Sequence, residues 1–115
     1  MKRGDVFLVQ RPGPRDPKRA RPFVVVSRQG LLDSRYSTVV CAPVYSAYGG
    51  GSTELEVGEA EGLKHHSGLR CDEVTSVPRS ALTNYLGELD AGRFAELNRA
   101  IAIALDVAAG DIRDL

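Results

Sequence analysis

The sequence predicts a mainly β domain with one helix: a small barrel or sandwich of short strands with a C-terminal helix packed on it. Three observations carry this reading. Runs rich in Val, Phe and Thr recur between Gly, Pro, Asp and Ser, as buried strands do. No helix-length segment separates the first of them, which disfavours a parallel α/β sheet. The apolar period then changes to 3.6 residues near the C-terminus. With 115 residues, the chain has the size of one domain, residues 1–115, with a single core.

The expected elements follow in order. "GDVFLVQ" (4–10), "RPFVVVS" (21–27) and "STVVCAPV" (37–44) are buried strands bounded by turn formers. "STELEV" (52–57) alternates polar with apolar, as a half-exposed strand does, and follows the turn-prone glycines 49–51. Residues 69–77 make a fifth strand, with a bulge or strand end near Glu73 and Val74, where the alternation fails. In "DAGRFAELNRAIAIALDV" (90–107), Phe94, Leu97, Ile101 and Leu105, with Ala108 beyond, recur at helical spacing, and Asp90 stands where a cap is needed. The opposite side of that helix, with Ala102 and Ile103, is more apolar than a solvent face requires. It predicts either a subunit contact or burial within the chain.

Composition limits the functional classes. Fifteen basic residues balance fifteen acidic ones, so no global field points to a nucleic acid. The charge is uneven, however: "RPGPRDPKRAR" (11–21) has five basic residues against the single Asp16. Such a proline-studded loop, with Arg15, Lys18 and Arg19 on it, is either a solvated basic loop or a phosphate-binding surface. Arg21 stands at its end, held extended by Pro22 at the mouth of a strand. Cys41 and Cys71 sit in apolar runs and no leader precedes the first strand, which predicts a reduced, cytoplasmic setting. No apolar run approaches the roughly 20 residues that cross a bilayer. His65, His66 and Cys71 lack a second ligand pair at structural zinc spacing, so neither a metal nor a cofactor is expected.

Within the fifth strand, Arg70 and Asp72 stand at i and i+2. That spacing predicts that they project from one face, about 7 Å apart at the backbone. A surface ion pair explains them as well as a functional site does. Aromatic stacking, if RNA is bound, would come from Tyr45 or Tyr48 on the next loop.

Taken in order, "KRGDVFLV", "RPFVVVS", "TVVCAPVYS", "GLRCDEVTSV" and "RSAL" followed by "YLGEL" resemble the MazF/PemK family, the toxins of type II toxin–antitoxin systems. The resemblance covers nearly the whole chain. It implies an SH3-like β-barrel of the CcdB/MazF type and a homodimer. It also implies metal-independent, sequence-selective cleavage of single-stranded RNA, and inhibition by a cognate antitoxin. The family arginine of "RP" matches Arg21, and the arginine and aspartate of its "RCDQ" motif match Arg70 and Asp72. These three, with Ser46 near the leaving group, are the expected catalytic set, and Arg15, Asp16, Lys18, Arg19 and Tyr45 the expected RNA contacts. The chain departs from the family pattern at Arg15, where a histidine is usual, at Tyr45, where threonine is usual, and at Glu73, where glutamine is usual. His65 and His66 are either substitutes for the lost imidazole or plain loop residues. A non-catalytic binding barrel and a CcdB-like gyrase poison are the alternatives on the same fold.

Overall fold

A computed structural model of the chain describes residues 1–10 and 20–112. The strands are β1 (Asp5–Gln10), β2 (Ala20–Val25), β3 (Thr38–Tyr45), β4 (Glu54–Val57), β5 (Ser67–Arg70), β6 (Thr75–Pro78) and β7 (Asn84–Glu88). A one-turn helix, α1 (Gln29–Leu32), lies between β2 and β3, and the longer α2 (Phe94–Ala104) follows β7. Neither α1 nor β7 was legible as periodicity. Four residues are too few to show a helical repeat, and β7 interrupts its alternation with Gly87.

All strand pairs are antiparallel, in the order β4-β5-β3-β2-β1-β7, with β6 also on β3. The continuous apolar runs are explained by burial on both faces. Val6, Val24, Ala42 and Val44 point into one core with Leu55, Leu69 and Leu97. Their sequence neighbours Phe7, Val25 and Cys41, together with Val39, point into a second core with Leu32, Val77 and Leu82. Successive side chains of a strand face opposite ways, so a strand between two cores has no polar face to show.

The sheet curls until the 3-10 turn after β4 (Glu59–Glu61) meets β7 at two glycines. Gly62 has φ of +86°, and a Cβ there would lie 2.1 Å from the Leu86 carbonyl oxygen. Gly87 faces it, and a Cβ on it would come within 2.5 Å of the Glu61 carbonyl oxygen. Only two residues without side chains let the backbones come this close. The result is the small barrel that was expected, with α2 laid on it through the fully buried Leu97 and the nearly buried Ala100.

Two expectations need correction. Residues 69–77 are two strands rather than one, both on the same edge of β3. Val44 pairs with Leu69 and Cys41 with Thr75. Three steps along β3 are thus matched by six along its partner, so three residues must leave the ladder, and they form the tight 3-10 turn Cys71–Glu73. Pro43, which offers no N–H to a ladder, lies at this hand-over between β6 and β5. The helix also stops at Ala104, short of Val107 and Ala108. Asp106 adopts φ of +57°, while the Asp106 and Val107 amides donate back to the Ile103 and Ala102 carbonyls. This is the Schellman arrangement that ends helices. Asp90 does cap, accepting the Gly92 amide across the 3-10 turn that leads into α2. Leu105, expected on the packed face, is exposed because the backbone turns just after it, and Ile103 of the second apolar side is exposed as well, so that side is not fully buried within the chain.

Candidate active site

The 3-10 turn and the end of β3 together build the site. Arg21 enters from β2, opposite Val9 of β1, and its Nη1 donates to the Val44 carbonyl at 3.1 Å. Arg70 is the last residue of β5, where the chain leaves the ladder. Tyr45 ends β3 between them. The Arg21 guanidinium carbon lies 3.9 Å from the centre of the Tyr45 ring and that of Arg70 3.8 Å. Two groups cannot both stack that closely on one face, so the ring is sandwiched. Each contact at such a partly exposed position stabilises by about 0.5–1 kcal/mol.

Glu73 completes the cluster. It accepts a 2.5 Å hydrogen bond from the Tyr45 hydroxyl, and its other oxygen lies 3.3 Å from Arg70 Nη1. The electrostatics follow from these partners. The Tyr45 hydroxyl, helped by Arg70, holds the Glu73 carboxyl below the ordinary glutamate range, outweighing the slight desolvation. The same hydrogen bond pushes the Tyr45 phenol upward. Glu54 approaches from β4, with Oε1 3.9 Å from Arg70 Nε and Oε2 accepting the Gly49 amide at 2.8 Å. It thereby ties the loop after β3 to the same arginine.

Arg21 and Arg70 therefore come together as expected, but through an aromatic ring. Asp72 does not share a strand face with Arg70, because it sits in the turn and not in a strand. Its Oδ2 accepts from Thr53 Oγ1 at 2.6 Å. The carboxylates at Arg70 are Glu73, one residue on, and Glu54. Sequence reasoning missed Glu73, Glu54 and Thr53 as members of the cluster; the departures at Tyr45 and Glu73 were the available signal, since the two residues bond to each other.

Beside the cluster lies a hollow of about 560 Å³, with Leu8, Pro22, Val44, Leu63 and Leu86 as apolar lining and Arg21, Tyr45, Ser46, Lys64 and His65 as polar lining. It brings Ser46 and His65 to the same rim. His66 turns elsewhere, 2.9 Å from Glu56 and edge-on to Tyr48. Arg15, Asp16, Lys18 and Arg19 lie outside the described residues. Cys41 and Cys71 are free and buried, with thiols pushed up to about 12 and about 11 by burial. Among the described residues, no three His, Cys, Asp or Glu side chains converge as a metal site requires, and no helix is long and apolar enough to cross a membrane.

A curled antiparallel sheet, one covering helix and two arginines stacked on one tyrosine define a small toxin-like barrel with a cationic cluster at the end of β3. Residues 2–105 match the PemK-like, MazF-like toxins of type II toxin–antitoxin systems, and the chain belongs to this family. Endoribonuclease MazF3 of Mycobacterium tuberculosis is 29% identical over 89 residues, covering 77% of this chain and 85% of that protein. Among solved structures, the Mycobacterium tuberculosis toxin MazF-mt6 superposes with a TM-score of 0.78 at 26% identity, covering 90% of this chain and 98% of that one. A mycobacterial endoribonuclease in complex with its cognate antitoxin shares the fold, with a TM-score of 0.79 at 22% identity over 94% and 97% of the two chains.

Proposed function

We propose that the chain is an endoribonuclease toxin that cuts single-stranded RNA without a metal, and that a cognate antitoxin silences it. The observation that supports this reading is the pairing of Arg21 with Arg70 on the Tyr45 ring, with Arg21 and Tyr45 lining an open hollow, in a chain that belongs to the MazF-like toxins. The 2′-hydroxyl attacks the adjacent phosphorus, the bond from phosphorus to the 5′-oxygen breaks, and a 2′,3′-cyclic phosphate and a 5′-hydroxyl remain. The protein has to accept the 2′-hydroxyl proton, balance the charge of the pentacoordinate phosphorus and protonate the departing oxygen.

Arg21 and Arg70 supply the charge through N–H groups in the planes of their guanidiniums. Guanidinium holds its protons too tightly to act as an acid. Asp72 takes the 2′-hydroxyl proton or orients the group that does, its carboxylate steadied by Thr53. Water or Ser46, on the rim of the hollow, delivers a proton to the 5′-oxygen. Arg15, Lys18 and Arg19 contact the RNA backbone, Asp16 helps to select or hold the strand, and Tyr45 acts on it through the two arginines stacked on its ring. The chain works as a homodimer in the cytoplasm, where RNA is present and the two buried thiols stay reduced. An acidic antitoxin segment competes with RNA for Arg21 and Arg70.

The test is cleavage of an RNA pool with chelator present, followed by a matched RNA carrying one 2′-deoxy residue at the mapped cut. The deoxy substrate should resist. Cutting that persists on it rejects this chemistry, and salt-dependent binding with no product identifies an inert binder.

A further inference from the structure

Two of the family departures touch each other. Tyr45 and Glu73 are joined by a 2.5 Å hydrogen bond, and the ring they hold in place separates the two arginines assigned to phosphate. We propose that Tyr45 is a positioning residue: its ring, anchored by Glu73, spaces and orients the Arg21 and Arg70 guanidiniums as a two-pronged clamp for one phosphodiester. The inference rests on the nuclease reading and explains how a phenol serves where the family has a threonine.

The argument is geometric. A guanidinium attracted to an aromatic face lies over the π-cloud and keeps its N–H groups at its edge. Stacking on both sides of one ring therefore fixes the planes and the separation of two cations while leaving hydrogen bonding to their rims. Without the ring, two like charges on flexible stems would drift apart. The ring itself is held at both ends, by the β3 backbone and by Glu73 on the 3-10 turn. Arg21 is anchored further by its bond to the Val44 carbonyl and Arg70 by Glu73 and Glu54. Both faces of the ring are occupied, so in this arrangement Tyr45 holds cations rather than a base.

The experiment compares Tyr45→Phe, Tyr45→Thr and Tyr45→Ala with the wild type, after melting curves show that each is folded. Phe keeps the ring without the hydroxyl, and Thr keeps a hydroxyl without the ring. Ala and Thr should lower kcat about 10- to 100-fold, the scale of a misplaced catalytic group, with KM changed less than about threefold. Phe should recover most of that loss. In parallel, the side-chain protons of Arg21 and Arg70 should show ring-current shifts that persist in Phe and vanish in Thr and Ala. Activity that survives in Thr and fails in Phe would assign the role to the hydroxyl and overturn the proposal. So would a loss confined to KM, unchanged kcat in Ala, or ring-current shifts absent from the wild type. A wild type that cuts no RNA while its shifts behave as stated would reject the nuclease reading and leave the spacing of the arginines standing.

Discussion

Replacing Glu73 by Gln tests the electrostatics of the rim directly. The amide keeps an oxygen that accepts from the Tyr45 hydroxyl, so the ring stays anchored, but it removes the charge 3.3 Å from Arg70. A phosphate on the Arg70 edge would lie on the order of 5 Å from that carboxylate. Glu73 is well exposed, at 45% of its side chain, so the dielectric of water applies and the repulsion is about 0.8 kcal/mol. RNA affinity should therefore rise about fourfold in Glu73→Gln, and the salt slope should steepen by up to about 0.7 as Arg70 is released to a phosphate. The assay is fluorescence anisotropy with a non-cleavable RNA at two salt concentrations near neutral pH.

The pH dependence has a definite sign. The folded carboxyl titrates lower than usual, so the ionised contact is present above the ordinary glutamate range and is lost only as pH falls through the depressed value. Wild type and variant should therefore differ at neutrality and converge only as pH falls beneath the ordinary glutamate range. Affinity that is unchanged or weaker in Glu73→Gln at neutral pH would refute the placement of a phosphate at Arg70.

Other perturbations address the scaffold. Gly62→Ala forces a side chain into a φ of +86° and against the Leu86 carbonyl. Urea unfolding should show a loss of at least about 3 kcal/mol from strain and an opened seam, and a loss below about 1 kcal/mol would mean the barrel does not close there. Leu97→Ala, at a fully buried position under α2, should cost about 2–5 kcal/mol, read as a lower midpoint in the same titration. Asp106→Gly relieves the positive φ that ends α2 and should stabilise by about 0.5–1 kcal/mol. RNA cleavage should not change, since Asp106 lies outside the cluster around Tyr45.

Much of the architecture was readable because burial leaves a periodic trace. The apolar runs of β1 to β3, the alternation of β4 and the helical spacing from Phe94 to Ile101 are each local consequences of facing a core. The end of α2 was not readable, because Leu105 continues the apolar period while the backbone turns at Asp106. No side-chain pattern records that choice. The site was legible in parts. Arg21 and Arg70 stood out as charges in strand-like runs, whereas pairing Arg70 with Asp72 assumed an unbroken strand.

The sequence by itself determined the class of fold, the family and the two arginines, since hydrophobic period and motif order are properties of neighbours along the chain. Tertiary structure alone decided which carboxylate of the turn meets Arg70. Whether Asp72 or Glu73 faces Arg70 depends on three residues expelled from the ladder where β3 exchanges one partner for another. That mismatch of register arises between strands far apart in sequence, and only their pairing in the curled sheet sets it.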